Sequence, residues 1–181
     1  MQPTTLAIGA LLAAALLPTA QAQQTLDLSA GPVDYTTWTL LGRASAQNTT
    51  PGNGFTYSLL SLTDSGSGGQ AGAAFAPEAW ALDFNQAFSI HFNWYIPVPG
   101  GEDTLRGDGM TFVLTGSPAL GGTGSGLGYD GSASNSVAWA IDTFNFDNEP
   151  VSPSLQILAG GSTTPLAFTE TGLGDSVRDP D

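Results

Sequence analysis

The segment AFSIHFNWYI, residues 87–96, alternates large apolar side chains with smaller or polar ones along its whole length. Phe, Ile, Phe, Trp and Ile occupy every second position from Phe88 to Ile96. A period of two places all of them on one face of an extended chain, as in a β-strand with one buried face. No segment after residue 22 keeps the 3.6-residue period of a helix over three turns. The alternation therefore predicts an all-β fold.

Shorter alternating segments recur along the chain. They are TTWTLL (36–41), FTYSLLSLT (55–63), MTFVLT (110–115), SVAWAIDTF (136–144) and SLQIL (154–158). Clusters of Gly, Pro, Ser, Asn and Asp separate them, and the chain contains 24 glycines and 12 prolines. Short strands punctuated by turns predict a single domain built as an antiparallel β-sandwich. Because the chain has no cysteine, a hydrophobic core rather than disulfides must hold this sandwich together.

The amino-terminal segment predicts export. Residues 6–17, LAIGALLAAALL, are apolar and uncharged, and Ala20-Gln21-Ala22 follows with the small-x-small pattern of a cleavage site. The alternative, a membrane anchor, is disfavoured because a helix needs roughly 20 apolar residues to cross a bilayer. We therefore expect a signal peptide over residues 1–22 and a secreted mature domain over 23–181, in the extracellular space, in a periplasm or at a cell surface.

Charge and single motifs exclude several partners. The net charge is −13, with no lysine and three widely separated arginines. No basic stripe exists to neutralise phosphates, so neither nucleic acid nor an anionic membrane surface is an expected partner. His91 is the one histidine and falls among the polar positions of its segment, which indicates a solvated residue rather than a ligand. The run GGTGSGLG lacks the Lys-Ser/Thr ending of a phosphate loop.

The order of motifs from residue 104 onward carries a family resemblance. RGDGMTFVLTG is followed by ALGGTGSGLGYDGSASNSVAWAIDTFNFDNEP and then by SLQIL. This order resembles the L-type, legume-lectin-like domains, in particular the secreted bacterial ones, and it extends upstream over nearly all of the mature chain. The resemblance implies a concanavalin-like jelly roll that binds glycans. Family members continue past the strand that SLQIL matches, so we expect a domain lacking its carboxy-terminal strands that self-associates through exposed sheet edges.

The resemblance also implies a sugar site. The family's sugar-binding aspartate falls on Asp108, after a cis peptide bond, and the loop glycine whose N–H meets the sugar falls on Gly128. The asparagine column holds Phe146, so that neighbouring Asn145 or Asp147 would supply the polar group; we select Asn145. A fixed carboxylate can accept hydrogen bonds from two sugar hydroxyls, and glycine lets the backbone approach the ring. An adhesion role for Arg106-Gly107-Asp108 is the alternative, and the strand that follows directly disfavours it.

The metal ligands that the resemblance implies are only partly present. Ala140 stands in the glutamate column and Ser154 in the histidine column, so we expect the transition-metal site to be lost. The oxygen donors that remain are Asp142, the Phe144 carbonyl, Asp147 or its neighbour Asn145, and Glu149; we select Asp147. Oxygen ligands suit calcium. Two alternatives stay open: a single calcium ion at this loop, or an acidic loop that faces water.

An enzyme of the same fold is a further alternative, because glucanases share this sandwich. Retaining glycosidases need two carboxyl groups about 5 Å apart. Asp142 has no second acid on its strand face within two residues, and Glu78 and Asp83 are five residues apart. We therefore expect no enzymatic activity. Glycan binding is the preferred function, and a non-binding structural or cell-surface β-domain is the remaining alternative.

Overall fold

A computed structural model describes residues 33–50, 54, 57–64, 68–82, 85, 87–90, 92, 94, 107–146 and 149–171. The expected signal peptide lies outside the described residues, as do His91, Arg106 and Asp147. The strands within them are β1 (Thr39–Gly42), β2 (Ser45–Thr49), β3 (Tyr57–Ser61), β4 (Gly72–Phe75), β5 (Gly109–Thr115), β6 (Ser136–Asp142), β7 (Ser154–Ala159) and β8 (Ser162–Glu170). In this part of the chain no helix is long and apolar enough to span a membrane.

The strands form antiparallel sheets, which confirms the predicted all-β class. β1 pairs with β4, and β2 pairs with β3, in two small sheets. The largest sheet has the order β5-β6-β7-β8, so that each strand lies beside its neighbour in sequence. Gly160 and Gly161, with φ of 65° and 72°, connect β7 to β8. Two positive φ angles are typical of the tight hairpin turn whose twist matches its flanking strands.

One face of the four-stranded sheet is buried by the loop between β5 and β6. We call it the Asp142 face, because the Asp142 side chain lies on it. The alternation of β6 buries Ala138, Ala140 and Asp142, and the register places Ser154, Gln156 and Leu158 of β7 beside them. Tyr129, from the loop over residues 116–135, is fully buried against this face. Its hydroxyl lies 2.8 Å from Ser136 Oγ and is hydrogen-bonded to it.

The opposite face of the same sheet carries Phe112 and Trp139. Two rings from the segment with the strongest alternation lie on it. Phe92 stacks on Phe112 with ring centroids 5.8 Å apart, and Phe88 meets Trp139 edge-on at 6.4 Å. Trp139 nevertheless stays 38% exposed.

The strand predicted over residues 87–96 is not formed by its described residues. Residues 87–90, 92 and 94 belong to no strand. The alternation correctly placed apolar rings against a sheet, but a strand also needs a neighbouring backbone to which it can hydrogen-bond, and side-chain periodicity does not specify one.

Candidate functional site

Asp108 lies at the entrance to β5 and is fixed there by its backbone. Its carbonyl oxygen accepts hydrogen bonds from Thr143 N at 2.8 Å and from Thr143 Oγ1 at 3.1 Å. The Gly107–Asp108 peptide bond is cis, the form that the family resemblance implies. These contacts join the start of β5 to the first residue beyond β6. The backbone position of Asp108 is therefore set where β5 pairs with β6.

The two glycines that flank Asp108 are required by close packing. A Cβ atom at Gly109 would lie 2.1 Å from the Ile141 carbonyl oxygen, and one at Gly107 would lie 2.8 Å from Phe144 Cβ. The sequence Gly107-Asp108-Gly109 thus presses against β6 and against the loop that follows it. This packing accounts for the glycines around Asp108 without any role in cell adhesion.

The Asp108 carboxylate is half-buried, and no described residue donates a hydrogen bond to it. Burial raises the pKa of this carboxyl above its usual value of 3.8. One loop glycine comes close: a Cβ atom at Gly124 would lie 3.6 Å from Asp108 Oδ2. Asp108 therefore places a carboxylate acceptor beside the backbone at Gly124.

Gly128, to which the resemblance assigns a sugar contact, takes part in the internal hydrogen bonding of its loop. Its N–H donates to the Gly122 carbonyl at 2.9 Å, and its own carbonyl accepts from Gly121 N at 2.8 Å. Because this N–H already serves the internal structure of the loop, Gly124 rather than Gly128 is the glycine that the fold brings to Asp108. The run GGTGSGLG holds several glycines, and the resemblance selected Gly128, the one directly before Tyr129.

Asp142 is the hydrogen-bonding centre of the loop over residues 143–153. Its side chain is buried, with 2% exposure. Oδ1 accepts from Phe144 N at 3.1 Å and from Ser152 Oγ at 3.0 Å, and Oδ2 accepts from Gln156 Nε2 at 2.9 Å. Burial raises the pKa of this carboxyl, the bonds from Ser152 and Phe144 oppose the rise, and the charge of Asp108 adds to it.

Gln156 is a residue of this site that the sequence reasoning missed. It also donates to Ser154 Oγ at 3.0 Å, and both side chains are buried. The alternation of SLQIL offered a signal, because it places Gln156 on the same strand face as Leu158. A long polar side chain on a buried strand face needs a polar partner.

Asn145 and Glu149 shape the same loop. Glu149 Oε2 accepts from Phe146 N at 2.9 Å, and Asn145 Oδ1 accepts from Ser152 N at 3.3 Å. Burial raises the pKa of Glu149, the bond from Phe146 N opposes the rise, and the charges of Asp142 and Asp108 add to it. The fold thus brings three carboxylates, those of Asp108, Asp142 and Glu149, within electrostatic reach of one another.

The residues in the implied transition-metal columns do not fit a metal. Ala140 has no ligand atom and lies directly opposite Gln156 in the sheet. The hydroxyl of Ser154 accepts from that same glutamine. For calcium, Asp142, the Phe144 carbonyl and Glu149 supply oxygens of the right type, whereas Asp147 lies outside the described residues. Within the described residues no three Asp, Glu, His or Cys side chains are grouped so that they could hold a metal ion. The calcium ion stays a prediction.

A scan of protein-family models finds no match to this chain, and a search of curated proteins finds none either. The resemblance to L-type lectins therefore stays a prediction from the motifs.

Proposed function

We propose that this chain is a secreted carbohydrate-binding domain of the L-type lectin kind, with the Asp108 carboxylate as its central acceptor. The observation that carries the proposal is a half-buried carboxylate, on a backbone held by strand pairing, to which no described residue donates. Its oxygens are not among the buried polar atoms that lack a partner, so donors from outside the protein can reach them. A ligand rich in hydroxyl groups, such as a sugar, would supply such donors.

The surroundings of Asp108 suit a pyranose ring. The ring centroids of the exposed Phe144 and Phe146 lie 6.4 Å apart, and Phe144 packs next to Gly107. Aromatic surface of this kind can cover the C–H face of a sugar. Asn145, on the same loop, uses its side-chain oxygen for Ser152 N, and its amide NH₂ has no acceptor among the described residues. The site therefore combines an acceptor, a donor and an apolar surface.

The affinity that we expect is weak. Residues 144–146 and 151 of the loop over residues 143–153 are exposed, and any part of the loop that sugar must order subtracts from the binding energy. We propose a Kd of about 1 mM, which corresponds to a binding free energy of about −4 kcal/mol. Manganese should change this affinity little, and calcium should raise it modestly at most.

A glycan array followed by titration calorimetry tests the proposal. Asp108→Asn should weaken binding at least about tenfold, because it removes a charged acceptor while keeping the shape of the side chain. Asp130→Asn is the matched control: this acid lies exposed on the loop that carries Gly124, and the variant should bind like wild type.

Each other outcome points elsewhere. Equal binding by Asp108→Asn and wild type would refute the site. If wild type binds no glycan on the array, the structural β-domain is favoured. If wild type releases reducing sugar from a β-glucan panel, a glycoside hydrolase is favoured.

A further inference from the structure

The buried carboxylate of Asp142 needs compensation from the surrounding structure. Its carboxylate is buried, and no cation pairs with it among the described residues, of which Arg43 is the one basic side chain. Burying an ionised carboxylate without compensation is costly. The compensation comes from three hydrogen-bond donors, which lie at the start of the loop over residues 143–153, near its end, and on β7.

The donor on β7 depends on a matched set of residues. Gln156 is the diagonal neighbour of Asp142, since β6 pairs Asp142 with Ser154 and Ala140 with Gln156. Diagonal neighbours in a sheet are separated by roughly 7–8 Å, a gap that only a long side chain can bridge. The small side chains of Ala140 and Ser154 leave room for the glutamine to lie along the sheet toward the carboxylate.

We infer that the side-chain amide of Gln156 takes the place of a transition-metal ion. Its hydrogen bond holds the Asp142 carboxylate in position, and Asp142 in turn holds both ends of the loop over residues 143–153, without any metal. The residues that the lectin resemblance assigns to that metal do not fit it, and the amide nitrogen lies where Asp142 Oδ2 and Ser154 Oγ converge, at 2.9 Å and 3.0 Å. Gln156 is a positioning residue in this scheme. This role of Gln156 is independent of whether a glycan binds at Asp108, because it is tested by thermal stability and by metal binding.

Gln156→Glu is the decisive variant. It keeps the length and shape of the side chain but replaces a donor with a second carboxylate next to Asp142, and two carboxylates beside a serine hydroxyl form an oxygen ligand set. In EDTA we expect the midpoint of thermal unfolding to fall by about 5 °C or more relative to wild type. Added manganese should restore part of this loss, and the manganese electron-spin signal should report bound ion.

Gln156→Met is the matched control, because methionine has similar length and cannot donate a hydrogen bond. It should lose a similar amount of stability and regain none with manganese. The wild-type full chain should unfold at the same temperature in EDTA and in manganese. Hydrogen exchange at the N–H of Phe144 should likewise be the same in both, and faster in Gln156→Met.

Four results would overturn the inference. The first is that wild type binds manganese and unfolds at a higher temperature with it, and the second is that both variants keep full stability in EDTA. The third is that Gln156→Glu folds but does not respond to manganese. The fourth applies if Gln156→Glu does not fold at all: hydrogen exchange at the Phe144 N–H is then the same in Gln156→Met as in wild type.

Discussion

Gly109 is the position at which the structure makes its sharpest steric prediction. A Cβ atom added there would lie 2.1 Å from the Ile141 carbonyl oxygen and 3.0 Å from Asp142 Cα. Ordinary carbon–oxygen contacts across a sheet are about 3.3–3.6 Å. Gly109→Ala therefore requires a backbone movement of roughly 1 Å between β5 and β6, and both obstructing atoms are backbone atoms that cannot rotate away. The pairing of Gly109 with Asp142 would open next to Asp108.

The expected cost is about 3 kcal/mol, at the upper end for overpacking, because no side chain can absorb the clash. That corresponds to a fall of about 10 °C in the unfolding temperature of a domain of this size. Urea denaturation of wild type and variant measures the difference in free energy. Gly122→Ala is the control, since the nearest atoms to its Cβ would lie at 3.8 Å. If Gly109→Ala were as stable as Gly122→Ala, the close approach of β5 to β6 would be refuted.

Two other predictions concern the core and the site. Leu158→Ala removes a fully buried side chain from the Asp142 face and should lower the free energy of unfolding by about 2–5 kcal/mol. Leu166→Ala, at a residue 73% exposed, should change it by no more than about 0.5 kcal/mol. Urea denaturation measures both values, and equal losses would contradict the assigned core. Because burial raises the pKa of Asp108, the folded state binds the proton more tightly, so wild type should gain stability relative to Asp108→Asn as the pH falls from neutrality to below 3.8. Unfolding midpoints across that range test this, and a constant difference would count against it.

The sequence predicted the strands that carry large alternating side chains. β5, β6 and β7 fall within or beside the predicted segments, and in β6 and β7 the buried residues recur at a period of two. β2 and β4 were not predicted, because SAQNT holds no large apolar residue and GAAF holds one. β8 follows the last predicted segment and contains Pro165, which disfavours a strand except at a sheet edge, and β8 is at the edge of its sheet.

The candidate site was predicted in part. The motif pointed to Asp108, because a short glycine-flanked strand start is a local feature that sequence order preserves; its role in sugar binding stays a prediction. It did not identify Gly124 or Gln156. Gly124 reaches Asp108 through the folding of a loop whose glycines look alike in sequence, and Gln156 reaches Asp142 across two strands. Contacts of this kind depend on register, which is a property of pairs of strands rather than of any one segment.

The contrast between Asp108 and Asp142 gives the strongest physical argument for a ligand. Asp108 directly precedes the residue paired with Asp142, and the charge of Asp108 adds to the rise in the pKa of Asp142. Asp142 receives three hydrogen bonds from the protein, whereas Asp108 receives none from the described residues. The buried Asp142 carboxylate needs these donors, because an unpaired buried carboxylate costs stability. The oxygens of Asp108 are not among the buried atoms that lack a partner, so donors from outside the protein can reach them. We conclude that Asp142 holds the loop, while Asp108 is available to accept hydrogen bonds from a ligand.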